Sequence, residues 1–228
     1  MKGIIGKKIG MSQVYNDRGE VIPVTMIKAG PCVVLDVKEK ALRLGFEDSK
    51  EKHINKPQLG EFKKANVSPK RVVKEIPFTE SNKFKVGDEI KADIFAIKEC
   101  VDVRGRSIGK GFQGGMKRWG WHGGPSGHGS MHHRRIGSMG SNTDPGRVLR
   151  GLHMPGHMGY DNVCIQNLEI INVNDGIITI KGSVPGKNNN YLVLTHALKM
   201  PVKRERIIQK INTKDALKAS KRAARGKG

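Results

Sequence analysis

RGRSIGKGFQGGMKRWGWHGGPSGHGSMHHRRIGSMGSNTDPGRVLRGLHMPGHMGY, residues 104–160, decides how this 228-residue chain is read. The stretch holds both tryptophans, six of the eight histidines, five of the nine methionines and sixteen of the 29 glycines. It carries nine Lys/Arg (Arg104, Arg106, Lys110, Lys117, Arg118, Arg134, Arg135, Arg147 and Arg150) against one acid, Asp144, a net charge of +8. Hydrophobic periodicity is almost absent, so the stretch cannot bury a core of its own. Disorder fits poorly, because Trp119, Trp121, Phe112 and the methionines are present and the Glu, Ser and Lys richness of disordered chains is not. A segment of more than fifty residues ordered by its partner fits better, its glycines permitting sharp turns and close backbone approach. Cations interleaved with rings suit a polyanion with flat bases, which is RNA.

Strand patterns lie on both sides of this stretch. Upstream, residues 11–15 and 20–27 flank the turn Asn16-Asp-Arg-Gly19. Residues 32–38 and 41–46 read as the next pair after Gly30-Pro31. Residues 48–93 are more charged, are interrupted by Pro57, Pro69 and Pro77, and suggest a short helix at 58–65. Residues 94–103 return to strand. Downstream, 163–173 and 177–184 flank Asn174-Asp175-Gly176, a strong hairpin turn because Asp-Gly tolerates positive φ. Residues 191–195 form the last strand. The expected fold is mainly β with an α+β insertion, a β-barrel extruding one long irregular extension. The expected division is a body of residues 1–47, 94–103 and 161–198, an inserted lobe of 48–93, a finger of 104–160 and a basic tail of 199–228. Eleven Lys/Arg stand against Glu205 and Asp215 in that tail, where Thr213 would cap a short helix.

The whole chain carries a net charge of +21, which favours an anionic partner. Membrane binding is disfavoured, because no apolar run approaches ~20 residues and no long basic amphipathic helix is evident. The N-terminal run is too broken by charge for a signal peptide. Cys32, Cys100 and Cys164 are widely spaced and odd in number, and read as small buried hydrophobes in a reducing compartment.

Apparent catalytic motifs fail on context. Gly109-Lys-Gly-Phe-Gln-Gly114 spells GxGxxG, but a dinucleotide site needs a following helix and an acid some twenty residues on. The run after it reads as no helix, and the region has no such acid. Gly105-Arg-Ser-Ile-Gly-Lys110 is one residue short of a phosphate loop, and Gly111 replaces the Ser/Thr. Its amides and Lys110 suit RNA phosphates instead. His122, His128, His132 and His133 crowd together, but Arg134 and Arg135 make a poor setting for a cation, so no metal is expected. These imidazoles suit base stacking or phosphate contact. His128 and Ser138 lack the acidic partner of a hydrolase. Trp119 and Trp121 leave two readings open: a local mini-core with Phe112 and Met116, or a stacking platform for bases.

At this point the residues carry a resemblance. Phe95, Asp102, Gly105, Ser107, Gly109-Lys110-Gly111, Gly114 and Arg118 have the spacing of a signature of the large ribosomal subunit protein three family. The opening Gly3-Ile-Ile-Gly-Lys-Lys-Ile-Gly-Met11 is similar to that family's, of bacterial type. So are Gly137-Ser-Met-Gly140, Pro145-Gly-Arg147, Met154-Pro-Gly-His-Met-Gly159 and Val184-Pro-Gly186. The resemblance implies a body with a translation-factor-like barrel on the outer face of the large subunit. It implies a finger reaching through ribosomal RNA toward the peptidyl transferase centre, with Ile136, Gly137, Ser138, Met139, Gly140, Ser141, Asn142, Thr143, Asp144, Pro145 and Gly146 near its tip. It also implies an early role in assembly, neighbouring proteins of families fourteen and nineteen, and a cytoplasmic ribosomal location.

Beside that resemblance, the RNA-contacting candidates are the nine cations named above, Trp119, Trp121, His122, His128, His132 and His133, with Lys7 and Lys8 as second-rank contacts. No cofactor, membrane partner or homo-oligomer is expected. Some bacterial members carry a methylated glutamine where this chain has Thr143. A free-standing RNA chaperone or processing factor is the alternative, and a metal- or nucleotide-dependent enzyme a third class.

Overall fold

A computed structural model describes residues 2–16, 18–79 and 81–199; the tail expected to carry a capped helix lies outside them, apart from Lys199. The first long strands, β1 (Gly3–Tyr15) and β2 (Val21–Ala29), pair around the expected turn, where the Asn16 side chain accepts amides of Arg18 and Glu20. They are followed by β3 (Cys32–Lys38), β4 (Ala41–Asp48), α1 (Lys56–Lys64), β5 (Lys70–Pro77) and the two-residue β6 (Glu89–Ile90). Then come β7 (Cys100–Arg106), β8 (Gly111–Gln113), α2 (Gly115–Trp119), β9 (Gly156–Met158), β10 (Asn162–Asn174), β11 (Ile177–Lys181) and β12 (Tyr191–His196).

Six strands close into an antiparallel barrel in the order β1-β12-β7-β10-β11-β2. Closure removes the unpaired edges that an open sheet would expose. The β10–β11 turn has positive φ at both Asp175 and Gly176, as its sequence demanded. Alternation buries Ile178 and Ile180 on β11 and Leu192 and Leu194 on β12, the side chains of successive residues pointing to opposite faces.

Pairing corrects the expected strand membership. β3 and β4, expected in the barrel body, belong to a second sheet of order β5-β4-β3-β6. The apolar alternation of these strands is that of any half-buried sheet and does not name the neighbour. Ile4 and Ile5, adjacent on β1, are both fully buried. They sit in one hydrophobic cluster with barrel residues such as Leu194 and sheet residues such as Leu44 and Ile76. The strand expected at 94–103 begins only at Cys100, after a 3-10 turn at Ala92–Ile94, and runs on to Arg106. The strand expected to reach Val184 ends at Lys181.

Buried polar groups pin the irregular points of the barrel. Asp102 is buried; its carboxylate accepts the Asn167 amide at 2.9 Å, inside a bulge of β10 where Asn167 has φ 58°. Lys8 is also buried, and its ammonium donates to the Val184 and Gly186 carbonyls at 3.1 and 3.0 Å. Burial lowers its pKa. Of the cysteines, Cys32 is buried, Cys100 is half-buried and Cys164 is exposed, so the expectation of three buried thiols holds only for the first. Cys164 sits where β10 leaves the shared core and its side chain faces solvent.

Glu47 joins the sheet to the barrel. Its carboxylate takes a hydrogen bond from Lys7 at 2.8 Å and another from the Tyr191 hydroxyl. The Lys7 bond, then that of Tyr191, holds the Glu47 carboxyl below its ordinary range. Burial, then Glu47, pushes the Tyr191 phenol up to about 12. A depressed carboxyl contributes stability above its unfolded pKa and loses it as pH falls through the folded value. A raised phenol contributes stability that is lost between its unfolded value and about 12. As pH falls through and below the ordinary carboxylate range, wild type should therefore lose more stability than Glu47→Gln, by up to about 1 kcal/mol for a partly exposed pair. Identical acid limbs in thermal melts of the two proteins would show that the joint contributes nothing.

Candidate nucleic-acid interface

The basic stretch begins inside the barrel, where Arg104 and Gly105 of β7 pair with both β10 and β12, and becomes a two-stranded stem from Arg106 outward. The β7–β10 ladder continues outward through Arg104↔Cys164 and Gly105↔Val163 to Arg106↔Asn162. Beyond it, the Ser107 amide donates to the Asp161 carbonyl at 2.9 Å and the Lys110 amide to Met158 at 2.9 Å. The β8–β9 pair then extends the ribbon. Gly159 has φ +77°, and a Cβ there would strike the Ile108 carbonyl, so the two strands approach only because this residue is glycine. The Arg106 guanidinium covers the Tyr160 ring at 4.5 Å. The base of the extension is thus regular, and the irregular part begins further out.

Above the stem sits α2, one turn where the sequence reading expected none. Gly120, at φ 71°, ends it as a left-handed cap. That Met116-Lys-Arg-Trp119 run followed by glycine was the available signal. One five-residue turn between strands that pair antiparallel still does not make a dinucleotide fold. The helix is tied to the returning chain through one carbonyl: Arg118 Nη1 and Trp119 Nε1 both donate to Met154 O at 2.8 Å. Trp119 stacks on His153, centroids 4.1 Å apart and planes 8° off parallel. Trp121 packs directly over Gly115, where any Cβ would collide with its ring.

This arrangement removes Phe112 from the packed reading of the tryptophans. No mini-core with Phe112 forms, because Phe112 lies on β8, is 68% exposed and faces His157 edge-on at 6.0 Å. Further out, Gly124 N donates to the His132 and His133 carbonyls, and His133 Nδ1 lies 3.0 Å from Pro125 O. Toward the expected tip, the Ser138 hydroxyl donates to Gly140 O at 3.1 Å. From Ser141 to Gly151 every residue is exposed, with no strand or helix.

Eight of the nine cations are exposed and Arg118 is half-buried. Among the described residues, none of the nine takes part in an ion pair. The body behaves differently: Lys2, Lys7, Lys38, Arg43, Lys70 and Lys181 all meet carboxylates there. Two expected contacts are placed elsewhere. Lys8 is buried against carbonyls, and Lys7 is engaged with Glu47, so neither presents a free cation. His122, His128, His132 and His133 are exposed along the extension, and among the described residues no group of three His, Cys, Asp or Glu is placed to hold a metal ion. Tyr160, an exposed ring under the Arg106 guanidinium, was not singled out from sequence; an aromatic inside a basic stretch was the signal for it. No helix among the described residues is long and apolar enough to cross a membrane.

Unpaired cations, exposed rings and glycine-permitted backbone approaches thus recur along residues 104–160. A comparison with protein-family models matches the chain to Ribosomal protein L3 over residues 48–177, more than half of its length and including the whole extension.

Proposed function

Because the chain belongs to the ribosomal protein L3 family, a structural constituent of the large ribosomal subunit that binds its RNA, we propose that residues 104–160 are the RNA-penetrating surface of this protein. The observation that carries this reading is electrostatic: seven cations on one protrusion and two, Arg104 and Arg106, at its root on β7, none of them in an ion pair within the described chain. Held together without counter-charges, they repel one another until phosphates lie between them. Arg104, Arg106, Lys110, Lys117, Arg118, Arg134, Arg135, Arg147 and Arg150 then contact backbone phosphates. The rings of Trp119 and Trp121 and the exposed imidazoles fill crevices or stack.

The tip, Ile136 to Gly146, reaches toward the peptidyl transferase centre and buttresses RNA there, so its influence on peptide-bond formation is indirect. Binding early to unfolded RNA would let this finger guide assembly in the cytoplasm. A surface of other character serves neighbouring proteins of families fourteen and nineteen. The outer end of the β1–β2 ribbon exposes Ile9, Met11, Val14, Tyr15 and Val21, and residues 9–24 hold one Arg against two acids. A nearly neutral apolar ribbon on a chain of net charge +21 suits a protein better than a nucleic acid.

Sucrose-gradient sedimentation discriminates this reading from a free-standing RNA chaperone. The protein should remain with large subunits after a high-salt wash that leaves the subunits intact. Release under that wash would favour the chaperone.

A further inference from the structure

Three separate parts of the extension, Gly120 to His122, His132 to Ser138 and Gly151 to His153, border an open concavity of about 660 Å³. Its size falls in the ~300–1,000 Å³ range of small-ligand sites. Trp121, Leu152 and Ile136 supply apolar surface, His122, His132 and His153 supply ring faces and nitrogen atoms, and Arg135 supplies a cation. No carboxylate lines it.

Two of the three walls are anchored within the chain. Trp121 is seated over Gly115, and His153 has one face fixed on Trp119. Because His153 also lines the concavity, a further ring entering there would extend the existing Trp119–His153 stack by one layer. The absence of carboxylates disfavours a cation, and the single arginine suits one phosphate. Flat rings with hydrogen-bonding edges, joined to one phosphate, describe a nucleotide.

We propose that this cavity receives one unpaired base of the large-subunit RNA, turned out of its strand and stacked against the imidazole of His153, with Arg135 at its phosphate. The inference rests on the finger being the RNA surface and adds a single-nucleotide socket to it. A strand is the source of the base rather than a free nucleotide, because the one arginine is a weak grip by itself. In a strand the neighbouring phosphates are held by cations outside the cavity, such as Arg134 and Arg150.

The test combines wild-type and variant subunits. Ultraviolet cross-linking of intact wild-type large subunits, read by mass spectrometry, should join one nucleotide to peptides carrying Trp121, His132 or His153. Chemical probing of Watson–Crick edges in subunits carrying His153→Ala, which removes the stack, or Ser138→Phe, which fills the cavity, should expose that same nucleotide about tenfold more than wild type, as loss of one base stack requires. Other footprints of the finger should be unchanged. Finger cross-links that avoid the cavity peptides, or no nucleotide responding to either variant, would overturn the socket and leave the interface standing. Cross-links absent from the whole finger would overturn both. Saturable quenching of tryptophan fluorescence by micromolar free nucleoside monophosphates would assign the cavity to a free nucleotide and overturn the RNA assignment.

Discussion

Replacing residues 107–161 by a two-residue turn is expected to leave a folded barrel that has lost most of its affinity for large-subunit RNA. The cut falls at Arg106 and Asn162, which face each other as the last pair of the β7–β10 ladder, so a tight hairpin can close it. None of the fully buried large side chains lies between those limits. The wider limits of 104–160 that the charge pattern suggested would instead cut into β7 and remove Gly105. That glycine packs against Leu192 and Pro185, where a Cβ has no room, and its ladder to Leu192 joins β7 to β12.

The excision removes Lys110, Lys117, Arg118, Arg134, Arg135, Arg147 and Arg150. If each neutralises a phosphate, the slope of log K against log salt should fall by about 5, at ~0.7 per contact on single-stranded regions. Affinity at ~0.1 M salt should drop by on the order of a thousandfold or more. Circular dichroism and filter binding over a salt series check the two halves separately. Loss of the strand spectrum would mean that the barrel needs its extension to close. A folded barrel with undiminished affinity and slope would place the RNA surface elsewhere in the chain.

The second large effect is on stability. Leu194 on β12 is fully buried, in the cluster shared by the barrel and the four-stranded sheet. Its strand pairs with β1 through Ile4 and with β7 through Val103, so β12 is the stave that closes the cylinder between them. Leu194→Ala should cost about 2–5 kcal/mol through lost burial and the cavity left behind. For a chain of this size that corresponds to a fall in melting temperature of roughly 5–20 °C. A shift of under about 2 °C in a calorimetric melt would mean that this core is not packed as described. RNA affinity of the folded variant should be unchanged, since Leu194 lies in the body.

Strand existence was legible because apolar and polar residues alternate with period two, and turns such as Asn174-Asp175-Gly176 carry the residues their φ angles need. Strand partnership was not, because alternation at 32–38 and 41–46 looks the same in either sheet. Only closure of the barrel by β12 assigned those strands to the other layer. The candidate site divides in the same way. Its cations could be read directly, because unbalanced charge is a property of composition. The exclusion of Lys8 could not, since a lysine buried beneath the Val184 and Gly186 carbonyls looks in sequence like a lysine in water.

What the amino-acid sequence determined alone was therefore local and additive: net charge, periodicity, turn chemistry and the motifs of a ribosomal family. The tertiary structure decided what depends on positions far apart in the chain. It set the pairing of β1 with β12, the stack of Trp119 on His153, and the gathering of three distant stretches around one cavity. Such contacts follow from the simultaneous burial of one core and the satisfaction of backbone hydrogen bonds throughout it, and no window of neighbouring residues encodes either.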